Sequence, residues 1–230
     1  FGVLTDFARQ FPRQYLNVGV AEQNLTGLAA GLALEGRVVF TYSIANFPIL
    51  RCLEQVRNDV CYHRANVKVV SIGGGFSYGG LGMSHHATED LAIARALPNL
   101  EVVAPGDIEE TVVLTRALAA RPGPGYLRLD KSAAPPTPFD AAGFRFGQAR
   151  EVRPGRAATI IATGGILGEA LQAAGQLAAR GLECRVLSLP VVKPLDGAAI
   201  TRAVEETGGL VTLEEHNLSG GMGSAVAEYL

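Results

Sequence analysis

The chain has 230 residues, 48% of them hydrophobic, with 20 Lys and Arg against 22 Asp and Glu. That length supports one large domain or two small ones, each with a proper core. A formal charge of −2 without any basic run argues against nucleic acid as the main partner, and no apolar run approaches membrane-spanning length.

Cys52, Cys61 and Cys184 are odd in number and show no CxxC spacing, which argues against disulfide and zinc frameworks and fits a reducing cytoplasm. The first residue is Phe1 rather than Met, and "AVAEYL" ends the chain within a helical pattern, so the sequence reads as a fragment at both ends.

Strand and helix patterns alternate along the chain. "YLNVGV" reads as a short strand, followed by a helix from Glu22 that stops at Gly36. In that helix Leu25, Leu28, Ala29 and Leu32 recur at the spacing of a buried stripe, with Glu22 on the same stripe one turn earlier. "RVVFTY" is the next strand. "NFPILRCLEQVRNDVCYHR" has Leu50, Leu53, Val56 and Val60 at helical spacing and Pro48 in its first turn, where proline is tolerated. "VKVVSIG" is a buried strand that runs into a glycine-dense loop from Gly73 to Ala87. Then come helix "TEDLAIARAL", strand "LEVVAP", helix "DIEETVVLTRALAAR" and strand "GYLRLD". The proline-rich "KSAAPPTPFDAAG" breaks the rhythm as an exposed connector. After a ribbon, "FRFGQAREV", the alternation resumes with "ATIIATG", "ILGEALQAAGQLAARG", "ECRVLSL", "DGAAITRAVEET" and "GLVTLEE". This predicts an α/β protein of two domains, each a mostly parallel sheet flanked by helices: residues 1–133, a linker over 134–149, and residues 150–230.

The loop "GGGFSYGGLGMSHHATED" is the most unusual segment. It leaves the carboxyl end of a strand, where open α/β sheets place ligands. Six of the residues from 73 to 82 are glycine, and the loop delivers His85 and His86, which titrate near neutral pH and suit acid–base work. The alternative is a surface loop with two solvated imidazoles. Glu22 reads either as a first-turn acid favoured by the helix dipole or as a half-buried functional carboxylate. Phe47 reads as a core aromatic, His216 as a surface polar group and His63 as a helix-terminal cation. Arg128 and Lys131 read as phosphate contacts or edge-strand charges. No GxxxxGK[ST] occurs, and "TGGILGEA" lacks the GxGxxG spacing, so Gly164 and Gly165 read as a tight turn.

Taken together, "NVGVAEQNLTGLAAGLALEG", "LEQVRNDVCYH", "GMSHHATEDLAIARALPNLEVVAPGD" and "LVTLEEHNLSGGMGSAVAE" resemble the C-terminal half of transketolases. The likeness is closest to the second subunit of split, bacterial-type enzymes. The resemblance implies thiamine diphosphate, with Glu22 on a ring nitrogen of the aminopyrimidine, where it favours the imino tautomer that deprotonates the thiazolium carbon. An apolar setting beside Leu25 and Ala29 is expected to disfavour the charged carboxylate and let it share a proton with the ring. The resemblance also puts Phe47 on the pyrimidine face with an aliphatic partner at Ile44. It turns His85, His86, Tyr78 and Lys131 towards substrate, with the two histidines as catalytic groups. Leu81 and Gly73 stand where the family has a sugar-reading aspartate and a histidine, which points to a modified sugar or a biosynthetic ketol donor.

Nothing in the chain resembles the G-D-G…N segment that holds the diphosphate through Mg²⁺ or Ca²⁺. The resemblance therefore implies a partner subunit carrying that domain, in an α2β2 assembly that transfers a two-carbon ketol unit. The alternatives are the β chain of a 2-oxoacid dehydrogenase, a deoxyxylulose-phosphate-synthase-like enzyme, or a non-catalytic subunit that keeps the fold.

Overall fold

The computed structural model of the chain describes residues 2–131 and 134–230. The first half contains α1 (Thr5–Gln10), α2 (Glu22–Leu34), β1 (Val39–Ile44), α3 (Leu53–Gln55), β2 (Val67–Ile72), α4 (Asp90–Ala96), β3 (Glu101–Val103), α5 (Ile108–Ala120) and β4 (Gly125–Leu129). The second contains β5 (Arg150–Arg153), β6 (Thr159–Ala162), α6 (Leu167–Ala178), β7 (Arg185–Ser188), β8 (Val191–Lys193), α7 (Gly197–Glu206), β9 (Leu210–Leu213) and α8 (Met222–Tyr229). The strands form two sheets, ordered β1-β2-β4-β3-β8 and β5-β7-β6-β9. Among the described residues, only β8 and β5 run antiparallel to their neighbours. This is the expected α/β class, with helices covering both faces of central strands such as β2.

Three elements depart from the sequence reading. Residues 15–20 form no strand: Leu16 and Val20 are exposed, Gly19 takes a positive φ of 78°, and among the described residues no neighbouring strand pairs with them. The expected helix over 46–64 is real but wound wider: π-helical turns at Phe47–Arg51 and Val56–Cys61 flank α3. Such bulges reset which side chains face a neighbour and concentrate at functional sites. The third, β8, is too short to show as a pattern. It crosses from the second half to pair with β3, with Val102 opposite Lys193 and Val103 opposite Val191. One hydrophobic core accordingly runs through both halves, joining Val102 and Tyr126 to Leu189, Val192, Ile200 and Met222.

The buried face of α2 is also rotated from the expected stripe. Glu22, Thr26, Ala29, Ala30 and Ala33 face inward, while Leu28 and Leu32 are 42% and 44% exposed. Small side chains let the helix lie close to the sheet, and they set its facing more strongly than the leucines do. Its end follows the sequence. Gly36, at φ 85°, donates to the carbonyl of Ala33, and Arg37 donates to Leu32, the paired bonds of a Schellman turn.

The expected domain border at residue 133 lies outside the described residues. The connector beyond it is tied down by a buried ionic group. Asp107 caps α5 by accepting from the Glu110 N–H at 2.8 Å, and its other oxygen accepts from Thr137 Oγ1 at 2.6 Å. Arg150 at the start of β5 donates to Glu110 Oε1 at 2.6 Å and to the carbonyl of Pro138 at 3.2 Å.

Candidate functional site

Glu22 is only 7% exposed. Ser43 Oγ, near the carboxyl end of β1, donates to Oε1 at 3.3 Å, and Arg51 Nη1 donates to Oε2 at 2.7 Å. The expectation of an apolar setting is therefore corrected. Because α2 turns its small-residue face inward, the carboxylate meets a hydroxyl and a guanidinium instead of Leu25. Below it Cys52 is buried, and burial pushes its thiol pKa up, with Thr26 as a hydrogen-bond partner pulling the other way.

The arginine leads to the next candidate. Arg51 lies 4.7 Å over the ring of Phe47, a cation–π contact made four residues apart along the wide helical turn. Phe47 meets His85 edge-on, ring centroids 5.3 Å apart, and His85 meets Tyr78 at 5.9 Å. Lys131 Nζ sits 4.4 Å above the Tyr78 ring. Glu22, Phe47, His85, Tyr78 and Lys131 thus form one contiguous arc. It crosses from the start of α2 over the carboxyl ends of β1, β2 and β4, the end of a parallel sheet where ligands bind. Burial raises the Tyr78 hydroxyl pKa; at Tyr42 burial, then the proximity of Tyr78, does the same.

His86 stands outside the arc. Its ring packs edge-on against Phe76 at 5.1 Å, and Nε2 donates to the carbonyl of Gly79 at 2.9 Å. Ile44 ends β1 opposite Ile72. Leu81 is exposed on the loop, and a side chain at Gly73 would run into the Tyr78 ring. His216 is drawn into structure rather than solvent, with Nε2 accepting from the Ala92 N–H at 3.3 Å.

Sequence reasoning missed Ser43, Asn46 and Arg51. Asn46 Nδ2 donates to the carbonyl of Ser84 at 2.7 Å and so holds the histidine loop to the end of β1. Its buried Oδ1 has no hydrogen-bond partner among the described residues. A signal for Arg51 was present, since an Arg four residues after an aromatic on one helix face is a recognisable pair.

What these groups fit is set by the guanidinium itself. It is planar, bears N–H donors, bonds a buried carboxylate and stacks on an aromatic ring. A flat heterocycle with ring and exocyclic nitrogens would satisfy the same two contacts, and the free Asn46 oxygen offers another acceptor nearby. Among the described residues no cluster of three or more His, Cys, Asp or Glu is placed to hold a metal ion.

Comparison with known proteins gives a consistent result. The model of the transketolase pyrimidine-binding domain matches residues 2–137, and that of the transketolase C-terminal domain matches residues 147–230. The chain is 40% identical over 229 residues to an apulose-4-phosphate transketolase subunit of Phocaeicola vulgatus, covering 99% of this chain and 73% of that one. It is 38% identical to the 1-deoxy-D-xylulose-5-phosphate synthase of Heliobacterium modesticaldum, covering 99% of this chain but 35% of the synthase. A solved split-gene transketolase, described as an inactive β4 tetramer, superposes with a TM-score of 0.89 at 40% identity, over 100% of this chain and 75% of that one.

Proposed function

The chain belongs to the transketolase family, and on that premise we propose that it is the pyrimidine-side subunit of a two-chain enzyme that moves a two-carbon ketol unit between sugar substrates with thiamine diphosphate. The reading rests on one observation above the rest. A buried carboxylate and an aromatic face are set side by side at the ligand-binding end of the sheet, already holding a flat N–H donor between them.

Thiamine diphosphate, when bound, would supply an acidic ring carbon suited to two-carbon transfer. Glu22 would accept a hydrogen bond from the pyrimidine edge and hold the proton shared with it. Phe47 would carry the ring face. Arg51 gives up Glu22 and Phe47 to make room and moves towards solvent, where nearly half of its side chain already lies. His85, with Ser84 Oγ 3.0 Å from Nδ1, moves protons at the donor's oxygens, and Tyr78 and Lys131 orient the far end of the sugar. His86 acts by bracing the loop through Phe76 and Gly79.

The diphosphate and its Mg²⁺ or Ca²⁺ belong to a partner chain with the N-terminal half, and the assembly is an α2β2 heterotetramer. The β4 relative described as inactive supports the need for such a partner. The test is reconstitution: this chain plus the partner, assayed for transfer from a ketose phosphate to an aldose. Glu22→Gln should cut kcat about 10²- to 10⁴-fold, the range general acid–base groups contribute. Turnover that survives this substitution would sink the reading. The likeness to 1-deoxy-D-xylulose-5-phosphate synthase favours a second reading, in which a 2-oxo acid is the donor. Release of CO₂ in the same assay identifies it.

A further inference from the structure

The sequence offers Arg128 as a phosphate contact or an edge charge, and the structure makes it neither. It lies on β4, between β2 and β3, and is 2% exposed. Asp90 Oδ2 is 3.7 Å and Asp130 Oδ1 3.4 Å from its Nε, and Nη2 donates to the backbone carbonyl of Glu215 at 3.0 Å. Both acids are engaged elsewhere. Asp90 accepts from Tyr126 Oη at 2.7 Å, and Asp130 accepts from the Gly165 N–H at 2.6 Å.

The histidine loop begins directly on this group. A Cβ at Gly74 would overlap the Arg128 guanidinium and the Asp130 carboxylate, and one at Gly75 would overlap the Glu215 side chain. At Gly74 the buried ion cluster leaves no room for a side chain, and at Gly75 Glu215 and a φ of 58° do the same. Residues 215–217 close the loop from the other side. The Glu215 side chain lies against the backbone of Gly75, and the Asn217 N–H donates to the Thr88 carbonyl at 2.9 Å. Gly75 and Ala87 exchange two backbone bonds of 2.9 Å at the neck of the loop.

We propose that Arg128 is a positioning residue. It clamps the neck of the loop over residues 73–87 against the 215–217 turn of the second half, and thereby sets where Tyr78 and His85 stand relative to Phe47 and Glu22. No hydrogen bond, ion pair or ring contact among the described residues joins it to any of those four groups. The assignment of His85 to substrate rests on the function proposed above, but the clamp itself does not.

The test is hydrogen exchange on the assembled enzyme, with two substitutions that attack the clamp from opposite sides. Arg128→Lys keeps the charge but loses the branched reach to Glu215. Gly74→Ala changes no charge and pushes on the guanidinium from the loop. In each, peptides within 73–87 should exchange about tenfold faster or more, while β1 and β2 keep their protection. The KM for thiamine diphosphate should stay put, and kcat/KM for the ketose donor should fall about 10- to 100-fold through misplacement of His85. Combining the two changes should loosen the loop no more than Gly74→Ala does. If one variant fails to fold, the other decides. Wild-type loop protection in a folded variant, or faster exchange spread evenly over the chain, overturns the proposal. A loosened loop in an enzyme with no ketol transfer would overturn the functional reading and leave the clamp standing.

Discussion

At Glu22 two claims compete for one carboxylate. The Arg51 pair is 2.7 Å long and, although Glu22 is buried, the arginine side chain is nearly half exposed, so solvent screens the contact to about 1 kcal/mol. On the function proposed above, a cofactor ring would have to displace it. Arg51→Met should therefore tighten thiamine diphosphate binding about two- to fivefold in calorimetric titration of the assembled enzyme, and weaker binding would show that the guanidinium assists instead. Glu215 is a second carboxylate with a legible environment. Burial, and then Asp130, raise its pKa above the ordinary carboxylate value. A raised carboxyl pKa contributes stability below the unfolded-state value and loses it as pH climbs through the folded-state value. Glu215→Gln should leave Tm unchanged near pH 4 and raise it by about 2 °C at pH 8, with a difference that grows in between. The sequence made Glu22 conspicuous because an acid sat on an otherwise small and apolar helix face. It hid Arg128 because burial of a strand residue depends on strand order, and the order β1-β2-β4-β3-β8 is written in no local spacing.

Whole elements were more legible where a pattern was long. Helices α2, α5 and α6 and the buried strand β2 follow from periodicity, with Gly36 and Asp107 marking an end and a start. Residues 15–20 carried a strand composition without a neighbour to pair with, and the three residues of β8 were too few to register against their partner in β3. The connector reads as a loose proline-rich segment but is held at one point. Arg150 donates to both Asp107 and Glu110, whose side chains are fully buried, and its guanidinium stacks 4.3 Å from Phe139. Glu110 has its pKa raised by burial, so removal of its cation leaves an expensive charge in the core. Arg150→Ala should lower the urea-unfolding free energy by about 3–5 kcal/mol. Adding Glu110→Gln should recover part of that loss, because the uncompensated charge is then gone. A loss under about 1 kcal/mol would mean that the connector is held by its prolines and not by this cluster.

For the molecule as a whole, the question is what covers the outside of α2. The helix turns Glu22 inward and leaves Leu28 and Leu32 outward; Val20, just before the helix, is 94% exposed, and Val38 and Phe40 beyond its end are exposed as well. Scattered exposed leucines are ordinary, but these lie on the helix that begins with the candidate cofactor carboxylate, and the function proposed above calls for a partner chain. On that proposal the partner reaches the start of α2, and the outward face of the same helix is open to it. The expected outcome is that this apolar face contributes to the contact, with its leucines as anchors. Leu28→Asp with Leu32→Asp adds two charges at positions already facing solvent in the free chain. The double variant should keep the circular dichroism and melting profile of the parent. It should bind the partner chain more than about 30-fold more weakly in analytical ultracentrifugation, the loss expected when an anchor of about 2 kcal/mol is removed. Ketol transfer should fall in parallel and return as the partner concentration is raised. Full binding by the double variant would move the partner to another face and separate the site from the leucines beside it.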